Sequence, residues 1–156
     1  MKSLVAFYSL HGHTKVVGEK IAKKLGADIE VIKDKKDRHG LIGWFQSAFD
    51  EELKTQTKIE KPERKTTDYD LVVIGTPIWE GVVPPVKEYL QENKFKKVAF
   101  FVTFHASAEN AGYVMGKIAK TNPLAVLELQ DRQIAVGEAK QKIKEFCDEI
   151  SSKIKS

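Results

Sequence analysis

Cysteine is nearly absent, with Cys147 the only one in 156 residues. That excludes an intramolecular disulfide and any cysteine-based zinc cluster. Its setting among Ile143, Phe146 and Ile150 reads as a small buried thiol. Long apolar runs are missing too: none approaches the roughly 18 residues that a membrane-spanning helix needs. The opening MKSLVAF passes straight into an apolar strand, with no leader pattern before it. The expectation is a protein that neither crosses nor coats a membrane, with the cytoplasm as its default compartment. Arginine is scarce, since Arg38, Arg64 and Arg132 stand alone, so the net charge of +4 comes from lysine. The lysines are spread over every predicted helix and turn, as on a solvated surface. A nucleic-acid footprint would gather them on one strip, so no nucleic-acid partner is expected.

Several signatures are also missing. No G-x-G-x-x-G follows the first strand, which excludes a dinucleotide fold, and no Gly-Lys-Ser/Thr stands there, which excludes a P-loop nucleotidase. The first loop holds neither the cysteine nor the arginine of a low-molecular-weight phosphatase. Ser9 and Gly75 stand where a response-regulator receiver carries acidic residues. No second histidine lies at a helical i, i+4 spacing from His11, His13 or His105, so no metal site is expected.

What is present is an ordinary globular composition, 42% hydrophobic and 31% charged, on a chain long enough for one core. Residues 1–156 read as a single domain. The most informative stretch is Tyr8-Ser9-Leu10-His11-Gly12-His13-Thr14. It follows the apolar run Leu4-Val5-Ala6-Phe7 and leads into Val16, Val17, Ile21, Ala22 and Leu25, an apolar set at helical spacing. The hydroxyls of Ser9 and Thr14 and the small Gly12 thus fall in a tight strand-to-helix turn. Unpaired N–H groups at a helix start, together with the helix dipole, favour an anion there. The plainer alternative is that Thr14 caps the helix and Gly12 merely turns the chain.

The helix ends near Gly26, and Asp28-Ile29-Glu30-Val31-Ile32 alternates as a half-exposed edge strand would. Residues 33–67 are the least regular part, charged at the start and polar around Pro62. Trp44 and Phe45 lie between, with a possible short helix through Phe49 and Leu53. The aromatic pair could cover a ligand, plug a gap or meet a partner subunit, so a homodimer stays open. Leu71-Val72-Val73-Ile74 is a third strand, ending in Gly75-Thr76-Pro77-Ile78-Trp79-Glu80-Gly81. Pro84 and Pro85 suit the first turn of a helix through Tyr89 and Leu90. Val98–Val102 is a fourth strand, followed by Thr103-Phe104-His105-Ala106-Ser107. A helix through Val114 and Ile118, a strand over 124–129, and a final helix striped by Ala139, Ile143, Phe146, Ile150 and Ile154 complete the pattern.

Strands alternating with helices predict a parallel sheet covered on both faces. Its form is a three-layer, doubly wound α/β sandwich of five strands. In the order 2-1-3-4-5, the loops after strands one, three and four meet in one crevice at the reversal of strand order.

The residues at those loops resemble the flavodoxin-like family. Ser9-x-x-Gly12-x-Thr14 resembles its phosphate loop, and YDLVVIGTPIW resembles its second flavin loop. The resemblance covers nearly the whole chain in element order. It implies a flavin mononucleotide (FMN) cofactor. Carried over by position, Ser9, His11, Gly12, His13 and Thr14 would hold the phosphate. Thr76, Pro77, Ile78, Trp79, Glu80 and Gly81 would wrap the ribityl chain and one side of the ring. Thr103, Phe104, His105 and Ala106 would border its other side. Two departures are a histidine at position 13, where many members have asparagine, and a third loop without paired glycines.

Two functions follow from the resemblance. One is an electron carrier exchanging electrons with redox partner proteins. The other is an FMN-dependent NAD(P)H oxidoreductase of the quinone-reductase type. A flavin-free interaction module on the same fold is a third, because fold does not fix function.

Overall fold

The computed structural model describes residues 1–9, 12–35 and 59–156. Its elements, in chain order, are β1 (Ser3–Phe7), α1 (His13–Leu25), β2 (Asp28–Val31), a short 3₁₀ turn (Thr66–Asp68), β3 (Leu71–Pro77), α2 (Pro84–Glu92), β4 (Val98–Phe104), α3 (Ala111–Ala119), β5 (Val126–Gln130), α4 (Asp131–Ala135) and α5 (Ala139–Lys155). All four strand pairings are parallel, and the order is β2-β1-β3-β4-β5, as the loop pattern implied. The predicted Trp44–Phe45 segment and the helix through Phe49 and Leu53 lie outside the described residues.

β1, β3 and β4 are continuous apolar runs because both of their faces are covered. On one face Leu4, Ala6, Val72, Ile74, Phe100 and Val102 pack with Val86, Tyr89, Leu90 and Met115 of α2 and α3. On the other, Val5, Phe7, Val73, Ala99 and Phe101 pack with Val17 and Ile21 of α1 and with Ile143, Phe146 and Ile150 of α5. The period-2 alternation of the strands therefore sorts one run of residues into two cores. Gly26, at φ 64°, ends α1, and the prolines at 84 and 85 open α2, both where the sequence placed them.

The edge strand is β2, and its polarity is the reverse of a simple amphipathic reading. Ile29 and Val31 are exposed, whereas Glu30 is buried. The cause is a cluster of polar groups on the inner side. The Arg64 N–H donates to Glu30 Oε1 at 2.9 Å, the Arg64 side chain donates to Ile29 O at 3.2 Å, and the Tyr69 hydroxyl donates to Asp28 Oδ2 at 2.7 Å. These bonds satisfy the carboxylate that the fold buries and cover part of an open strand edge. The return of the chain to this edge also shows in the Glu60 N–H, which donates to Lys33 O at 2.8 Å.

Close approach dictates Gly75. It pairs in register with Phe101 on β4, and a Cβ added there would overlap the Phe101 ring. Gly75→Ala is expected to lower stability by about 1–3 kcal/mol, as overpacking does. Urea unfolding measures it, and pairing the change with Phe101→Leu should recover part of the loss.

Burial pushes the Cys147 thiol up, to about 11. The folded state thus holds the thiol proton more tightly than the unfolded chain does. The stabilising effect is whole below the ordinary thiol value and is lost as pH rises to about 11. A Cys147→Ala variant should show a shallower fall in unfolding free energy across that alkaline window than the parent protein.

Candidate functional site

Parallel strands end together, so the carboxyl ends of β1, β3 and β4 bring Ser9, Thr76 and Thr103 to one edge of the sheet. The chain leaves β1 through Gly12, whose φ of 90° lies in the left-handed region that favours glycine. Space is not the constraint, because a Cβ at Gly12 would touch nothing within 4 Å. The Gly12 N–H donates to Ser9 Oγ at 3.1 Å, which closes the turn. The first intrahelical bond is the one from the Val16 N–H to Gly12 O at 2.9 Å. The N–H groups of His13, Thr14 and Lys15 precede it and form the positive end of a thirteen-residue helix. No acidic residue lies in that first turn. The arrangement suits a small, multiply charged oxyanion.

Thr14 does not cap α1. Gly12 holds that position, and Thr14 is buried within the first turn, its hydroxyl 2.8 Å from that of Thr103. Two hydroxyls carry two protons and one bond between them uses one, so the pair keeps a proton to donate to a third group. Ser9 likewise accepts from Gly12 and keeps its own proton. Thr76 is different: it is fully buried and its hydroxyl donates to Pro77 O at 2.8 Å. Its side chain therefore fixes the end of β3, and the backbone beyond it is what faces the crevice. His11 lies outside the described residues.

The second loop is held at three points. The Ile78 N–H donates to Thr103 O at 2.9 Å, Ile78 and Val82 form an antiparallel bridge, and Gly81, at φ 84°, donates its N–H to Glu109 Oε2 at 2.8 Å. This hairpin-like frame projects Trp79 and Glu80 outward. Trp79 is 43% exposed, large for an indole, and packs in a T-shaped arrangement with Tyr8 at a centroid distance of 6.3 Å and an interplanar angle of 73°. An exposed indole braced from one side offers a flat apolar face for stacking. Phe104 is half-buried at the end of β4, while His105 and Ala106 are exposed beyond it. The His105 carbonyl accepts from Gln130 Nε2 at 3.0 Å, which ties the third loop to the end of β5.

Two residues at this edge escaped the sequence reading. Glu109 holds Gly81 across 28 positions and sits at φ 50°, in the left-handed region, where a residue with a Cβ is strained by about 1–2 kcal/mol. Asp131, the first residue of α4, places Oδ1 3.3 Å from Nδ1 of His13. No local pattern marks Glu109. Asp131 could have been found by treating the carboxyl end of β5 as a fourth contributor to the crevice.

The family model for flavodoxin matches residues 2–150. The chain belongs to the flavodoxin family. No curated protein sequence matches it. Among solved structures, a flavoprotein from Lactobacillus acidophilus NCFM in complex with FMN is 23% identical, with a TM-score of 0.65 over 86% of this chain and 96% of that one. An oxidised flavodoxin 2 from Bacillus cereus is 15% identical, with a TM-score of 0.60 over 98% and 99%. A flavodoxin from the domain Archaea is 18% identical, with a TM-score of 0.57 over the full length of both chains. At these identities the likeness shows the flavodoxin fold.

The paired threonine hydroxyls give a direct test of this geometry. Thr14→Val or Thr103→Val alone strands a buried hydroxyl and should cost about 1–3 kcal/mol. The double variant should cost less than the sum, which a urea double-mutant cycle measures.

Proposed function

We propose that this flavodoxin-family protein binds one FMN in the crevice and acts as an electron carrier between partner proteins. The observation that carries the reading is the pairing of an anion seat with an exposed aromatic face at the reversal of strand order. The seat is the turn at Gly12 and the start of α1, and the face is Trp79, held on the framed loop 77–82. The donors present fit a phosphate monoester: the amides that open α1, the Ser9 hydroxyl, and the spare proton of the Thr14–Thr103 pair. The FMN named with the Lactobacillus flavoprotein supports the same cofactor here.

When bound, the flavin supplies the electron chemistry. The protein's part is to bind, orient and shield. The amides at the start of α1 neutralise charge on the phosphate without a lysine, which the loop lacks. Trp79 offers a stacking face worth roughly 0.5–1.5 kcal/mol beyond the area it covers. The clamp from Glu109 to the Gly81 N–H fixes the loop that carries Trp79, so little ordering is left to be done on binding. Among the described residues no helix is long and apolar enough to cross a membrane. With a net charge of +4, a carrier of this kind would be steered toward acidic partners, at rates that fall with added salt.

Titration of the flavin-free protein with FMN tests the reading. Bound flavin should turn the protein yellow and quench Trp79 fluorescence, and Trp79→Ala should weaken binding by about tenfold, the free-energy equivalent of one aromatic contact. The carrier reading further expects NADH and NADPH to leave the bound flavin oxidised until a reductase is added. Bleaching by either nucleotide alone would assign the NAD(P)H oxidoreductase instead, and a protein that stays colourless would remove both.

A further inference from the structure

His13 opens α1 with its backbone N–H at the anion seat, and its side chain meets Asp131, with Nδ1 3.3 Å from Oδ1. Both side chains are partly exposed, at 40% and 31%. Asp131 is itself well placed. Gln130 before it donates from Nε2 to His105 O and from its N–H to Gln133 Oε1, each at 3.0 Å, which pins the start of α4 to the third loop. The carboxylate therefore stands at the Nδ1 edge of the imidazole.

That contact dictates the protonation chemistry of the ring. A carboxylate only accepts, so a hydrogen bond from a neutral imidazole to Asp131 would place the ring proton on Nδ1. Nε2 is then a bare lone pair. A phosphate monoester also only accepts, and the two cannot bond. Protonation changes this: an imidazolium donates from both nitrogens, through Nδ1 to Asp131 and through Nε2 to a phosphate oxygen. Two anions on opposite edges of one ring hold the proton more firmly than either does alone.

We propose that His13, held by Asp131, binds the phosphate of the flavin as an imidazolium, so that FMN is taken up together with a proton. The inference rests on the FMN reading above and adds to it a linkage that the asparagine found here in many relatives cannot provide, since an amide donates at any pH.

The surroundings of the ring support the assignment. Among the described residues Asp131 is the one charged side chain recorded against it. Lys15, two residues on, turns to Glu19 at 3.8 Å. The strand ends beside the helix start contribute the uncharged Ser9, Thr76 and Thr103. Arg132 follows Asp131 on α4; Tyr8 follows β1, Lys33, Asp34 and Lys35 follow β2, and Glu80, His105 and Glu109 stand on the loops after β3 and β4, with the Glu109 carboxylate taken up by Gly81.

The sign of the effect follows from linkage. A histidine that gains an anionic partner titrates higher in the complex than in the free protein. The added affinity is therefore complete where the ring is protonated and is lost across the window in which the complex releases that proton. Within that window FMN affinity should fall by up to about tenfold per pH unit. Below about pH 6 the phosphate itself takes a proton, so the test belongs above that point.

The experiment is isothermal titration of the flavin-free protein with FMN and with riboflavin, between pH 6.5 and 8.5, each in two buffers of different ionisation enthalpy. FMN should bind with net proton uptake near neutral pH and weaken as pH rises, while riboflavin, which lacks the phosphate, should show neither effect. His13→Asn should bind FMN with no proton uptake and a flat pH profile. Asp131→Asn, whose amide can donate to Nδ1 and so leave a neutral ring with its proton on Nε2, should reduce both effects. Unchanged riboflavin affinity in each variant shows that the site is intact. FMN binding without proton uptake, or a pH dependence that survives His13→Asn, overturns this inference and leaves the FMN reading standing. Failure of the parent protein to bind FMN at any pH overturns both.

Discussion

Burial of the central strands on both faces is the constraint from which the rest of this protein follows. β1, β3 and β4 present apolar side chains up and down, so each needs a helical layer above and below, and parallel pairing with crossover helices meets that need. Parallel pairing sends every strand to the same edge. The order β2-β1-β3-β4-β5 then makes the connections after β1 and β3 diverge, and the gap between them is the crevice. The crevice is thus a product of topology, and the loop residues only furnish it.

Furnishing it places unlike demands on neighbouring residues. Gly12 is needed for its backbone, because φ 90° reverses the chain at the mouth of α1. Gly75 is needed for its size, because Phe101 fills the space its side chain would take. Thr76, fully buried beside it, spends its hydroxyl on the strand's own backbone, whereas Thr14 and Thr103 pair across 89 residues and tie α1 to the end of β4. The two threonines place the start of α1 relative to the sheet with a single short contact. Glu109 does the same for the second loop, accepting from Gly81 so that Trp79 is held outward on a frame and not on a free tip.

Much of this was legible in the sequence. Continuous apolar runs announced β1, β3 and β4, the 3.6-residue stripe announced α5, and Gly26 and the prolines at 84 and 85 marked helix ends where they stand. The Ser9-x-x-Gly12-x-Thr14 spacing marked the strand-to-helix turn between β1 and α1. What it could not convey was the direction of each hydroxyl, since Thr14 and Thr103 meet only once the sheet has formed. Which face β2 buries was illegible for a related reason. Its alternation was read correctly as an edge strand, but burial of Glu30 against the Arg64 backbone turned Ile29 and Val31 outward, and that partner lies 34 residues away. Neither Glu109 nor Asp131 carries a local pattern, and only the place of Asp131 just past β5 could have drawn attention to it. Each acts through one contact between loops that only the fold brings together.

The account depends on the amides that open α1 receiving an oxyanion. Two-dimensional ¹H–¹⁵N spectra of the protein, recorded with and without FMN, read those amides directly. The largest downfield shifts should fall on Gly12, His13, Thr14 and Lys15, with smaller ones on residues 78–81. Saturating flavin that leaves the α1 amides where they were, with its shifts clustered elsewhere on the molecule, would contradict it.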